Sequence, residues 1–419
     1  MRHKKKAGAA AVMSSALLLA ACGQGGPAGG DDSGLTDGKV VLAVLNDQSG
    51  VYKDLSGPNS VEAVKMAVAD YKKKYGDDAV AKEIEVITSD HQNKPEIANT
   101  EAQEMYDRKN ADAIFDVPTS SAALAVASQA KAKKKLYFNI GAATTELTGK
   151  QCNAYTYHWA YDTYQLANGT GTTVTEQGGK KWTIVYPDYA FGQDMTKSFS
   201  AAVEKAGGSV NEKIPTPFPN DNFATFLTKA ASSKPNVIGT MQAGGDLINL
   251  VKQFNQAGLK DQGITLAVGL MFITDIHSLG VDQFAGTTFT DAWYWNMDDE
   301  SRKWADQFQE KTGTRPSFAH AGNYSAALQY LEAVQRAGSD ESDAVAKELD
   351  GHEVNDVFLR NGKIRAEDHR VIHDVYLAKV KEAADVKEDW DYEEIIATIP
   401  ADKAFRPVEE SKAAGCTLG

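Results

Sequence analysis

Cysteine is scarce: there are three in 419 residues, and no C-x-x-C pair joins any of them. No papain-like or caspase-like signature surrounds Cys152, whose nearest histidine in sequence is His158, so a nucleophilic thiol has no support. The chain also lacks a G-x-S-x-G elbow, an H-E-x-x-H helix and a Walker A loop. Without a catalytic constellation, an enzyme is the least supported reading. Positive charge is in the minority. Lys and Arg total 44 against 57 Asp and Glu, for a net charge of −13 and a pI near 5.2. Phosphate binding needs clustered Lys and Arg, so nucleic acid is not an expected partner. There is no repeat at solenoid periods.

The N-terminus carries signals of its own. Arg2, Lys4, Lys5 and Lys6 precede a short apolar run, Ala9 to Leu19, which suits a secretory signal and is too short to span a bilayer. The run ends in Leu19-Ala20-Ala21-Cys22, which resembles the bacterial lipobox, in which the cysteine becomes the lipidated first residue. Residues 1–22 are therefore read as a lipoprotein signal peptide and residues 23–38, rich in Gly, Asp and Ser, as a flexible tether. The expected location is extracytoplasmic, lipid-anchored to the cell membrane. In that oxidising compartment the two remaining cysteines, Cys152 and Cys416, are expected to pair and clip the C-terminal tail.

What the chain has in quantity is alternation. Apolar runs at Val40–Leu45, Ile84–Thr88, Ala113–Val117 and Leu136–Ile140 alternate with helix-period segments at Val61–Tyr75, Pro95–Lys109 and Ser120–Lys133. The pattern repeats with strands at Trp182–Tyr186, Val237–Met241 and Ile264–Gly269, and helices at Gln193–Ala206, Asn222–Ser232 and Leu247–Ala257. Such order means parallel sheets covered by helices on both faces. Further on, Thr287–Trp295 reads as extended, and Ser301–Lys311 and Gly322–Ala337 as helices. Ile364–Arg365 and His373–Val380 read as a terminal hairpin. His369 and His373 share a face, but on a strand they stand about 13 Å apart, with no third ligand for a metal. Asn168-Gly169-Thr170-Gly171 is only a fragment of a dinucleotide-binding loop. No cofactor and no metal is expected.

In a doubly wound sheet, ligands lie outside the carboxyl ends of the strands, at helix N-termini whose amides are free. Four such ends are unusual here: Asn46–Tyr52, Asp116–Ser121, Gly141-Ala142-Ala143-Thr144-Thr145, and Tyr186–Gly192. Thr119, Ser120 and Ser121 are each plausible N-caps, but two successive junctions rich in hydroxyls and small residues make a good carboxylate cradle. Aromatics cluster at Tyr155–Tyr164 and at Trp293-Tyr294-Trp295, where they either pack a hinge or line a small-molecule cleft.

Gly50-Val51-Tyr52 leading into Ser60–Ala67, the Thr119-Ser120-Ser121 junction, Gly141–Thr144 and Asp188–Asp194 together resemble the type I periplasmic binding proteins of branched-chain amino acid ABC transporters. The likeness runs from about Lys39 to the C-terminus. His158–Tyr164 and Ala404–Pro407 are similar to a subgroup of which some members take aromatic carboxylates. The resemblance implies an α/β fold of two Rossmann-like lobes with parallel sheets, joined by a three-crossover hinge. The expected lobes are residues 39–160 plus 292–350 and residues 161–291 plus 351–419.

It also implies a ligand held between the lobes by hinge closure. Tyr52, Thr119, Ser120, Ser121, Ala142 and Thr144 would grip a carboxylate, with the register at Thr119 and Ser120 open by one. Tyr161, Tyr189, Phe191, Met271, Phe272 and Trp293 would shape the apolar end. The glutamate that holds an amino acid's ammonium in the family is missing at Gly269–Phe272. Unless Asp246 or Asp162 replaces it, an ammonium in the closed cleft would be unpaired and costly. The expected partners are a small carboxylate or amino acid, the permease subunits of an ABC importer, and the membrane through the lipid anchor. A monomer is expected. The competing readings are a true branched-chain amino acid receptor and a sensor subunit for a membrane signalling protein.

Overall fold

The computed structural model describes residues 34–418. The signal segment, Cys22 and most of the tether lie outside the described residues. Strands β1 (Val40–Asn46), β2 (Ile84–Asp90), β3 (Ala113–Asp116), β4 (Leu136–Asn139) and β5 (Thr156–His158) form a parallel sheet in the order β2-β1-β3-β4-β5. β1 is an interior strand, buried throughout. Val40, Leu42 and Val44 face the helices Gly57–Tyr75 and Phe318–Ala337, and Val41, Ala43 and Leu45 face Pro95–Asp107 and Ser120–Lys133. Burial on both faces is why the strand reads VVLAVLN without alternation.

A second parallel sheet repeats the plan. β6 (Lys181–Pro187), β7 (Ser209–Thr216), β8 (Val237–Thr240) and β9 (Thr265–Val268) run in the order β7-β6-β8-β9. Helix Ala190–Lys205 covers one face through Met195, Phe199 and Val203, and helices Ala224–Ser232 and Gly244–Gln256 cover the other. In both sheets the strand order reverses beside the first strand of the sheet. Those are the switch points, where a crevice opens at the strand ends.

β10 (Thr288–Asp291) begins a small antiparallel sheet, β10-β14-β15, with β14 (Val375–Val380) and β15 (Glu393–Ile399). β11 (Glu353–Val354), β12 (Gly362–Ile364) and β13 (Val371–Ile372) form another. The expected terminal hairpin is therefore corrected: β12 pairs with β11 and β13, while β14 pairs with β10 and β15. The chain passes from one set to the other at His373-Asp374, between β13 and β14. Gly169 lies in a π turn, Ala167–Gly171, where an added Cβ would collide with Thr290 Oγ1; it serves helix–strand packing. Cys152 and Cys416 form a disulfide. No helix among the described residues is long and apolar enough to cross a membrane.

Asp291 at the end of β10 and Glu393 at the start of β15 are both buried, and both Glu393 carboxylate oxygens lack a partner. Burial pushes Asp291 up to about 7, and burial followed by the charge of Asp291 raises Glu393 well above the carboxylate range. A raised folded pKa means the folded state holds protons that the unfolded chain releases near pH 4, so the contribution of Asp291 falls as pH rises from about 4 to 7, and that of Glu393 goes on falling above it. Asp291→Asn removes one titration. Its stability relative to wild type, from urea unfolding at pH 5 and pH 7.5, is expected to be higher at the upper pH. An equal difference at the two pH values would refute the raised carboxyl at Asp291.

Candidate functional site

The carboxyl ends of both parallel sheets point into one small cavity. Its walls are Tyr52 and Leu55 after β1, Pro118 after β3, Gly141 after β4, Tyr161 after β5, Tyr189 and Phe191 after β6, Ala243 after β8 and Leu270 after β9. It encloses about 210 Å³ of empty space, the part open to solvent included. Tyr52 Oη and Tyr189 Oη are 2.6 Å apart across it, and the Phe218 ring packs on both, at 5.5 and 4.3 Å between centroids. The Gly245 amide donates to the Val51 carbonyl at 3.0 Å, which joins the loop after β1 to the helix after β8.

The loop after β1 is shaped by Asp47. Its carboxylate accepts from the amides of Gly50 and Tyr52 at 2.7 and 2.8 Å and from Asn93 Nδ2 at 2.5 Å. Asn93 Oδ1 in turn accepts from the Thr119 hydroxyl. Thr119, at the N-cap position of helix Ser120–Lys133, therefore does not cap that helix with its side chain but ties it to the Tyr52 loop. Ser120 Oγ is buried and has no partner. Ser121 is half-buried one residue further on. Just before them Asp116 and Val117 have φ of 83° and 60°. For a β-branched residue such as Val117 that is strained backbone, of the kind found where a site dictates the chain's path.

The loop after β4 is tighter than a ligand alone would require. A Cβ on Gly141 would come within 2.6 Å of Pro118 Cα, so this glycine is small because the β3 end lies against it. The Gly141 carbonyl accepts from Tyr161 Oη at 2.6 Å. Ala142 is turned to the protein: its carbonyl accepts from Asn139 Nδ2 at 2.7 Å and bonds His158 Nε2 at 3.0 Å. Thr144 Oγ1 accepts from the Glu146 amide at 3.3 Å and starts the turn Thr145–Thr148. The Thr145 amide donates to Asp194 Oδ2 at 2.7 Å, so a carboxylate from helix Ala190–Lys205 reaches this loop.

The remaining predicted residues divide. Tyr52, Tyr161, Tyr189 and Phe191 line the cavity. Phe272 stacks on Phe318 at 4.4 Å and meets Tyr161 edge-on at 6.3 Å, which puts it behind the wall, and Met271 is fully buried. Trp293 lies elsewhere: its Nε1 donates to the Val357 carbonyl at 2.7 Å and its ring meets Trp304. Asp246 is buried in the first turn of helix Gly244–Gln256 and accepts from the Asn220 amide at 3.0 Å; burial raises it to about 7. Asp162 is committed to Arg370, at 3.0 Å, and to the Gln165 amide, at 2.8 Å. His369 stacks on Tyr157 at 4.2 Å and His373 bonds the Ala160 carbonyl at 2.7 Å. Among the described residues no group of three His, Cys, Asp or Glu could hold a metal.

Leu55, Pro118, Ala243, Leu270 and Phe218 were not foreseen. Only Pro118 and Leu270 carried a signal, each standing one or two residues past a strand end.

Two sheets facing one crevice are a binding architecture, and a family model described as periplasmic binding protein matches residues 39–385. The chain belongs to that family. This periplasmic binding protein is similar to another from Burkholderia mallei, with 42% identity and a TM-score of 0.85 over 89% of this chain and 98% of that one. It is 34% identical to a branched chain amino acid ABC transporter periplasmic ligand-binding protein from Burkholderia xenovorans LB400, with a TM-score of 0.79 over 89% and 99% of the two chains. A solute binding protein of an ABC transporter from Rhodopseudomonas palustris BisB5, solved with 3,4-dihydroxy benzoic acid, shares the fold. There the TM-score is 0.76 at 23% identity, over 87% and 98%. The periplasmic binding protein is thus an extracytoplasmic binding protein and not an enzyme.

Proposed function

We propose that this protein is the receptor of an ABC importer, anchored through lipid on Cys22, and that it closes over a small carboxylate bearing no ammonium group. One observation carries the reading: no acidic residue lines the cavity. Asp162 is neutralised by Arg370, and Asp246 accepts from the Asn220 amide outside the residues that line the cavity. An ammonium there would lose its water without gaining a counter-charge. The carboxylate would fall to the helix that starts two residues past Pro118, whose N-terminus has no side-chain cap and whose buried Ser120 hydroxyl is unpartnered, although Ser120 itself does not line the cavity. Tyr189, Phe191, Ala243 and Leu270 then offer an apolar wall for a ring or a branched chain. In the arrangement seen, the cavity has room for about one water, so a ring would enter only with these walls drawn apart.

Bound ligand would bridge the two lobes and favour their closed arrangement, which the permease subunits would read. A second reading, a true branched-chain amino acid receptor, is favoured by the Burkholderia xenovorans relative and by Asp246, whose charge acts on both Tyr52 and Tyr189.

A thermal-shift screen of the tetherless protein decides between them. Leucine, phenylalanine, benzoate and cinnamate are offered at equal concentration. The proposal expects benzoate or cinnamate to raise Tm by several degrees, corresponding to about 2.7 kcal/mol at a hundredfold excess over Kd, and leucine to do little. Stabilisation by leucine with none from the deaminated acids would overturn it.

A further inference from the structure

The C-terminal tail runs past the loop that follows β4, and its contacts fall on that loop. Arg406 Nη2 donates to the carbonyls of Thr145 and Thr148 at 3.1 and 2.8 Å and to Thr148 Oγ1 at 3.2 Å. Its Nε reaches Ser411 Oγ at 3.3 Å. A Cβ on Gly149 would sit 3.5 Å from Ala414 Cβ and 3.6 Å from Arg406 Nη2, so tail and loop are in packing contact. Three residues beyond Gly149 the Cys152–Cys416 disulfide fastens the two together. The other side of the tail is anchored as well. The Arg406 carbonyl accepts from Arg365 Nη1 at 2.8 Å, and the Phe405 ring lies under the Arg370 guanidinium at 4.2 Å.

The loop is thus held at both ends. Asn139 and His158 fix Ala142, and Asp194 and Arg406 fix Thr145 and Thr148. Between these points lie Ala143 and Thr144. Thr145–Thr148 is only a four-residue turn, with too few hydrogen bonds of its own to stay formed alone.

We infer that the tail sets the shape of the Gly141–Gly149 loop, with Arg406 as its positioning residue and the Cys152–Cys416 disulfide as its fastener. Ligand affinity then depends on a residue that touches no ligand and on the redox state of a bond remote from the cavity. The affinity half of this inference rests on the proposed function; the loop-shape half does not.

The test measures amide hydrogen exchange in the ligand-free mature chain. It compares wild type, Arg406→Gln, Arg406→Lys, and wild type with the disulfide reduced. Peptides covering residues 143–149 are expected to exchange about tenfold faster in Arg406→Gln and in the reduced protein, while peptides of β6 keep their rates. Arg406→Lys, which retains one charged donor, should fall between. Benzoate affinity, read by calorimetry, should weaken about fivefold or more in the same two samples. If benzoate binds none of the samples, the ligand reading fails, but the exchange rates still decide the loop. Unchanged exchange at 143–149 in both Arg406→Gln and the reduced protein overturns the inference. So does exchange that quickens equally in the loop and in β6, because that is general destabilisation.

Discussion

Arg370→Met should cost about 3–5 kcal/mol of folding free energy, read from urea unfolding, because it breaks a fully buried ion pair from one side. Arg370 and Asp162 have 1% and 2% side-chain exposure and meet at 3.0 Å. The guanidinium also donates to the carbonyls of His158 at 2.5 Å and Ala160 at 3.3 Å. Burial lowers its pKa only to about 10, so it stays charged at neutral pH. Methionine fills most of the volume but leaves Asp162 buried with a single backbone donor, and leaves the His158 carbonyl without this donor. Asp162→Asn added to Arg370→Met removes the stranded charge and should recover part of the loss. In the double-mutant cycle the two changes should couple by more than 1 kcal/mol, as residues of one network do. A single variant within about 1 kcal/mol of wild type would refute the assignment of this pair as the fastening of the chain after β5 to residues 368–373.

That pair also shows what the sequence could and could not disclose. His369 and His373 drew attention through their spacing, yet the weight falls on the arginine between them. Its partner stands 208 positions earlier, a separation that no local pattern reports. The same limit applied at the cavity. Tyr52, Tyr161, Tyr189 and Phe191 were legible because they follow strand ends, and strand ends are where a doubly wound sheet places its ligand. Ala243 and Leu55 were not, since an apolar residue in a loop has no period. The Asp47–Asn93–Thr119 chain was invisible because its links span tens of residues.

Among the elements, β1, buried on both faces, reads as a strand at sight. β7 alternates exposed and sheltered positions over SVNEKIPT and β15 is exposed over much of its length, so polar edge residues hid both. Gly141 lines the cavity and is also pressed by a neighbour that its own segment does not reveal. That neighbour is Pro118.

Gly244→Val should weaken ligand binding about 100-fold, or about 2.7 kcal/mol, while leaving the protein folded. Gly244 has φ of +55° at the start of helix Gly244–Gln256, and a Cβ there would run into the Val51 carbonyl and stand 3.0 Å from the Tyr52 ring. The left-handed backbone costs a valine about 1–2 kcal/mol in any arrangement of the protein. The collision with Val51 is different in kind, because it exists only while the loop after β1 and the helix after β8 are in contact. That contact also carries the Gly245 amide to the Val51 carbonyl and leaves Tyr52 facing Tyr189.

On the proposed function, closure supplies the ligand with its second wall. A protein held open would then offer only the carboxylate half of the site. Gly245→Ala is the control: a Cβ there would lie 3.7 Å from the nearest Val51 atoms, an ordinary contact, and its φ is not in the left-handed region. Calorimetry with the acid chosen by the screen should separate the two variants by well over tenfold, and small-angle scattering should show Gly244→Val failing to compact on adding that acid. If the two variants bind alike, within about threefold of wild type, then the Val51–Gly245 contact is not part of the binding reaction, and the cavity must take its ligand without the two sheets coming together.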